Sequence, residues 1–177
     1  MTSRPTMLLI GPVDGGGLLA LSDSFGATFD AIAVANCRIA ESLLSEGELA
    51  PDWIVVVQQR PGQYNPNELE RLLRAAPLSP LIMLLGSWCE GEPRSGNPWP
   101  NAIRVYWYDF PTRIDQALAA RIRGQCSHWS LPTTTTEEER LLYSARRTPN
   151  RSGGNIVVAA RRRDIADAIV DACQARG

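Results

Sequence analysis

The residues best suited to chemistry or to binding lie close together, in a stretch from 86 to 102 that has no apolar periodicity. The stretch holds two tryptophans, a thiol, two glutamates and an arginine, and its three prolines favour an ordered backbone. Tryptophan and arginine often anchor protein–protein contacts. Two tyrosines follow this stretch closely. The sequence therefore predicts a partner-binding site made of Trp88, Cys89, Glu90, Arg94, Trp99, Tyr106 and Tyr108.

The residue types present limit what catalysis the chain could perform. All 18 basic residues are arginines, so the P-loop and Schiff-base chemistry that depend on lysine are excluded. Cys89 would need a base to act as a nucleophile, and His128 is the single histidine. A zinc site made of Cys89, Cys126 and His128 has an unusual ligand spacing. We expect free thiols, no catalytic or cofactor-binding residue and no metal site.

A glycine run after the first apolar segment is the other candidate for ligand binding. Gly15, Gly16 and Gly17 stand where a phosphate cradle forms in some α/β proteins. The run is not a GxGxxG motif and lacks the P-loop lysine, which favours a tight turn. A small-molecule-binding or enzymatic domain, using the crevice near these glycines and Cys89, remains the alternative function.

The charge balance gives no general case for nucleic-acid binding. The net charge is -1, although residues 140–177 carry eight arginines against three acidic residues. No recognition helix or aromatic platform accompanies these arginines. A DNA-associated regulator is therefore the disfavoured third interpretation, and nucleic acid is not an expected partner.

Apolar runs that alternate with amphipathic segments predict the fold. The run at 53–57 is apolar on both faces, which is typical of a central strand in a parallel sheet. Alternation of strands and helices predicts an α/β fold with a doubly wound five-stranded parallel sheet. The predicted strands are 6–10, 29–35, 53–57, 80–85 and 103–107, and the predicted helices are 37–49, 67–76 and 112–123.

The pattern divides the chain into three parts. Residues 1–124 form the α/β domain, and residues 125–154 form a linker with a short helix at 137–147. Residues 155–177 form an additional βα unit, either a partial second domain or an extra strand and helix. We expect its strand, at 156–160, to pair with its own sheet or a neighbour's, because it would otherwise expose apolar residues. A homodimer is therefore an open alternative.

The sequence from 50 to 86 resembles the receiver domain of bacterial response regulators. Pro51-Asp52 begins the strand at 53–57, Pro61-Gly62 follows, and after a helix Pro80 begins the next apolar strand. The resemblance is detailed over residues 50–86, and residues 5–124 follow the same element order. It implies a flavodoxin-like or receiver-like three-layer sandwich, with an output face around the fourth helix, fifth strand and fifth helix.

The residues that receivers use for phosphorylation are replaced. The resemblance places the phosphoacceptor at Val57 and the hydroxyl at Leu85, and the lysine falls near Tyr108 or Asp109. The first strand ends in Gly11-Pro12 where receivers have an acidic pair. A phosphoaspartate site requires a carboxylate nucleophile, a hard cation on oxygen ligands and a positive charge on the phosphoryl group. The sequence therefore predicts a pseudo-receiver that cannot phosphorylate itself.

These observations predict a non-catalytic regulatory or scaffold module. It acts on an unknown protein partner through residues 86–102 and the face of the fifth strand. No apolar run is long enough for a membrane span, and the N-terminal residues lack the apolar core of a signal peptide. We expect a cytoplasmic protein that is not an enzyme.

Overall fold

The computed structural model describes residues 4–12, 28–96, 98–132, 135–136, 138–140, 142–143 and 157–174. Gly15, Gly16 and Gly17 lie outside these ranges, as does most of the predicted helix at 137–147. Within the described residues, no helix is both long enough and apolar enough to cross a membrane.

A parallel sheet of five strands forms the centre of the molecule. The strands are β1 Thr6–Ile10, β2 Asp30–Val34, β3 Trp53–Gln58, β4 Leu81–Leu85 and β5 Ile103–Tyr106. Their order in the sheet is β2-β1-β3-β4-β5, so chain order reverses between β1 and β3, which defines the doubly wound, flavodoxin-like topology. The register places Leu8 of β1 between Ile32 of β2 and Ile54 of β3.

Helices cover both faces of the sheet and produce the predicted three layers. Asn65 begins the second helix with a capping box, because its side chain and that of Glu68 each bond the other's backbone. The helices are α1 Cys37–Ser45, α2 Pro66–Ala75, α3 Glu92–Ser95, α4 Phe110–Ile122 and α5 Arg163–Gln174, with 3₁₀ turns at Ser87–Cys89 and His128–Ser130.

The sheet separates two apolar clusters. All six residues of β3 are buried, and the side chains of the five apolar ones, Trp53 to Val57, alternate between the clusters. One cluster packs under α1 and α2, and the other packs under α4. The continuous apolar run of β3 therefore follows from helices on both of its faces.

The Pro51-Asp52 pair has a structural role at the amino end of β3. One oxygen of Asp52 accepts the backbone N–H of Thr6 at 2.8 Å, and the other accepts a guanidinium N–H of Arg121 at 2.6 Å. Asp52 therefore joins the start of β1 to the end of α4.

The packed domain extends beyond the predicted boundary at residue 124. Trp129 is 1% exposed and packs edge-on against Trp53, with ring centroids 5.6 Å apart, and it also contacts Phe110. His128 is buried beside it. Residues 127–129 therefore belong to the core, and the prediction that they are linker was wrong. The error arose because a buried tryptophan in an aperiodic segment gives no local pattern.

The C-terminal residues differ from the predicted βα unit. Residues 157–160 are irregular and pair with no strand of the sheet, so a strand is not formed there; Ile156 lies outside the described ranges. The predicted helix is present as α5, and none of its described residues is buried. Apolar sequence alone does not produce a strand, because a strand needs a neighbour for its backbone hydrogen bonds.

Candidate functional site

The crevice between β1 and β3, at the carboxyl edge of the sheet, is filled by Tyr64. Its hydroxyl donates to the carbonyl oxygen of Val57 at 2.9 Å. Gly11, which ends β1 with a φ of 106°, makes room for the ring: a Cβ there would lie 2.3 Å from the Tyr64 oxygen. Burial raises the pKa of Tyr64 to about 12, so its phenol stays protonated and can donate.

Tyr64 is held in this position by its neighbour in the β3–α2 loop. The Gln63 amide nitrogen lies 3.3 Å from the Tyr64 oxygen and 3.4 Å from the Val57 carbonyl, and Gln63 also accepts the backbone N–H of Gln59 at 2.7 Å. The loop after β3 therefore folds back over the end of its own strand.

A buried polar cluster lies further along the same edge. Glu92, 5% exposed on α3, accepts the side-chain amide of Gln58 at 3.0 Å and the guanidinium of Arg104 at 2.5 Å. Gln58 ends β3 and Arg104 lies in β5, so the Glu92 carboxylate bridges the two strands on either side of β4. Both of its oxygens have donors, which is what a buried carboxylate requires.

Cys89 is part of the core. It is fully buried, its sulfur lies 3.5 Å from the carbonyl oxygen of Gln58, and burial, followed by the charge of Glu92, raises its thiol pKa. A thiol in this environment stays protonated and is a poor nucleophile. His128 packs on Trp129, which belongs to the apolar cluster on the opposite face from Cys89. Among the described residues, no three histidine, cysteine or acidic side chains are grouped to hold a metal ion.

Four aromatic side chains, two of them exposed and two half-buried, lie near this cluster. Trp88 is 79% exposed, Tyr108 is half exposed, and the Tyr108 ring stacks on Tyr106 at 5.6 Å with an interplanar angle of 4°. Trp107 contacts Tyr108 edge-on, and its indole N–H donates to the Ser87 hydroxyl at 3.0 Å, which connects it to the turn that carries Trp88. We call Trp88, Tyr106, Trp107 and Tyr108 the edge aromatic surface.

The seven predicted partner-binding residues are distributed between this surface and the interior. Trp88 and Tyr108 are exposed on it, whereas Tyr106 is half-buried and packs against the core cluster of α1 and α2. Glu90 and Arg94 are exposed on the segment that carries Trp88. Trp99 is half-buried and packs against the core cluster of α1 and α2, to which Cys89 also belongs. Cys89 is therefore a structural residue, because no part of it is accessible to a partner.

The residues predicted for the site did not include Gln58, Tyr64, Glu92 or Arg104. Gln58, a polar residue ending an apolar strand beside the predicted phosphoacceptor position, was the one available signal. The pairing of Glu92 with Arg104 could not be predicted, because it depends on how the segment after β4 returns to β5.

A groove of about 940 Å³ lies at the opposite, amino edge of the sheet. Its walls include Asp52, Trp53, Leu78, Arg121 and Trp129. The alternative function was predicted for the crevice near Gly15, Gly16, Gly17 and Cys89, at the carboxyl edge of the sheet. The groove contains none of these residues, and the three glycines lie outside the described part of the chain.

No family model matches the chain, and no curated protein matches it in sequence. Among solved structures, the chain is similar to the Salmonella typhimurium response regulator RcsB, described for its conformational dynamism in DNA interaction. The TM-score is 0.45 and the identity is 14%, with 85% of this chain and 72% of that chain covered. The strand order itself defines the class: a receiver-like, flavodoxin-type α/β fold.

Proposed function

We propose that this chain is a regulatory module with a receiver-like fold that accepts no phosphoryl group and acts through contact with another protein. The closure of the β1–β3 crevice by Tyr64 carries this proposal. Tyr64 lies over the end of β3, where the resemblance to receivers places the phosphoacceptor, and the residue at that position is the buried Val57.

The chemistry of the described residues at this edge supports the first half of the proposal. Val57 offers no nucleophile, and the raised pKa of Tyr64 keeps its phenol neutral. The carboxylate of Glu92 accepts a hydrogen bond from Gln58 and forms an ion pair with Arg104, whose positive charge balances it. Acyl-phosphate chemistry needs a free carboxylate nucleophile and a cation for the phosphoryl oxygens, and these side chains supply neither.

The edge aromatic surface supports the second half. Large aromatic side chains gain most from burial at the centre of an interface, and Trp88 presents most of its surface to solvent. The bond from Trp107 to Ser87 and the stacked tyrosines restrict the surface before binding, which lowers the entropy cost of ordering it.

Trp88→Ala tests this surface with a matched control. We expect the purified partner, identified by capture on the immobilised chain, to bind Trp88→Ala about tenfold or more weakly by calorimetry, because an anchor tryptophan is lost. Ile122 is also 79% exposed but lies at the end of α4, so Ile122→Ala should bind like the wild type. Equal affinities for the two variants, or no protein captured above the bare support, would count against the proposal.

A further inference from the structure

The segment from 86 to 96 leaves the sheet at the end of β4 and has little regular structure of its own. It contains a three-residue 3₁₀ turn and the four-residue α3. A helix of one turn is not stable in isolation, because nucleation costs more than one turn of hydrogen bonds returns. Contacts with the sheet must therefore hold the segment, and with it Trp88, in one conformation.

The carboxylate of Glu92, the first residue of α3, makes contacts of this kind. It reaches Gln58 on β3 and Arg104 on β5, the two strands on either side of the strand from which the segment departs. Glu92 thus ties the segment across the edge of β4 with donors on both sides of its carboxylate, and it does so in addition to the buried Cys89 and the hydrogen bond from Trp107 to Ser87.

The backbone around Glu92 fits this arrangement closely. The N–H of Gly96 donates to the Glu92 carbonyl oxygen at 2.8 Å, and a Cβ at Gly96 would lie 2.8 Å from Glu92 Cγ. Glycine therefore allows the chain to close over the buried carboxylate.

We propose that Glu92 is a positioning residue: its buried carboxylate, held by Gln58 and Arg104, fixes the segment 86–96 and so presents Trp88, the member of the edge aromatic surface on this segment, in a binding-ready form. That Glu92 presents Trp88 to a partner rests on the proposed function. That Glu92 orders the segment 86–96 does not, and this order can be measured on the purified protein alone.

Hydrogen exchange on Glu92→Gln tests the order of the segment. Removing one partner leaves the Arg104 guanidinium largely buried and without its counter-charge, which is strongly unfavourable. We expect the amides bonded within the segment, those of Cys89, Glu90, Arg94 and Gly96, to exchange about tenfold or more faster, with β1 and β3 unchanged. Glu90→Gln, an exposed acid in the same segment, is the matched control and should leave every rate as in the wild type.

A double variant separates positioning by charge pairing from a general packing role. In the double variant Glu92→Gln with Arg104→Gln, the two side-chain amides can bond each other and neither carries a charge. The logarithm of the exchange rate should therefore return at least halfway to its wild-type value. Arg104→Gln alone should lose protection in the same amides as Glu92→Gln. Unchanged exchange in both single variants, equal loss in β1 and β3, or no recovery in the double variant would each overturn the inference.

Partner affinity distinguishes this inference from the proposed function. Glu92→Gln should weaken binding about tenfold if both are correct. If exchange in the segment is faster but no partner is captured, the result would support the inference that Glu92 orders the segment and would count against the proposed function. Faster exchange with unchanged affinity would overturn the statement about presentation.

Discussion

Trp129→Ala is expected to lower the free energy of unfolding by about 4 kcal/mol, the typical cost of removing a fully buried tryptophan. The indole is 1% exposed and packs against both Trp53 and Phe110, on β3 and α4. The loss should appear as a lower urea midpoint with little change in slope. It would show that residues beyond the predicted boundary at 124 contribute to the core.

Trp88→Ala is the control for this effect, because Trp88 is the same residue type at 79% exposure. Its unfolding free energy should stay within about 0.5 kcal/mol of the wild type. If Trp129→Ala abolishes folding, Trp129→Phe provides a milder change, with an expected loss of about 2 kcal/mol. Equal midpoints for the wild type and both Trp129 variants would contradict the assignment of Trp129 to the core.

Stability should fall on acidification because of His128. Burial, followed by the charges of Arg113 and Arg140, lowers the pKa of His128 from 6.5 to about 4. Below pH 6.5 the unfolded chain therefore binds a proton that the folded chain does not bind. This contribution to stability is complete above pH 6.5 and is lost as the pH falls towards 4, by about 3 kcal/mol in total.

The structure around His128 agrees with this expectation, because it favours an uncharged ring. His128 is 5% exposed, its Nε2 has no hydrogen-bond partner among the described residues, and Arg140 donates to the backbone carbonyl of the same residue at 2.8 Å. His128→Leu removes the titrating group and keeps an apolar side chain of moderate size. Urea unfolding at pH 7.5 and pH 4.5 should show a smaller decrease for His128→Leu than for the wild type. Equal decreases would rule out His128 as their source.

The elements that sequence alone predicts here are those specified by short-range signals. The helix after Asn65 was predicted at 67–76 and is present as α2, because its cap and its apolar stripe lie within about ten residues. The apolar run of β3 identified a central parallel strand for the same reason. The prediction of a doubly wound, five-stranded parallel sheet rested on elements of this kind.

The candidate site was predicted only in part, because its geometry depends on long-range contacts. Trp88 and Trp129 both lie in aperiodic segments, yet one is exposed and the other is in the core. The difference arises because the two segments pack against different ends of the sheet, which a local pattern in the sequence does not specify. Glu92 likewise acquires its partners from β3 and β5, which are 34 and 12 residues away in sequence.

Phosphoryl transfer tests the central claim most directly. The full chain is incubated with acetyl phosphate and Mg²⁺ beside a phosphorylatable receiver as the positive control, and intact masses are recorded at neutral pH. We predict that this chain keeps its unmodified mass while the control gains a phosphoryl group, because Tyr64 closes the crevice over Val57 and Glu92 is bound to Arg104. A phosphoryl adduct on this chain that hydroxylamine removes would identify an acyl phosphate and contradict the account.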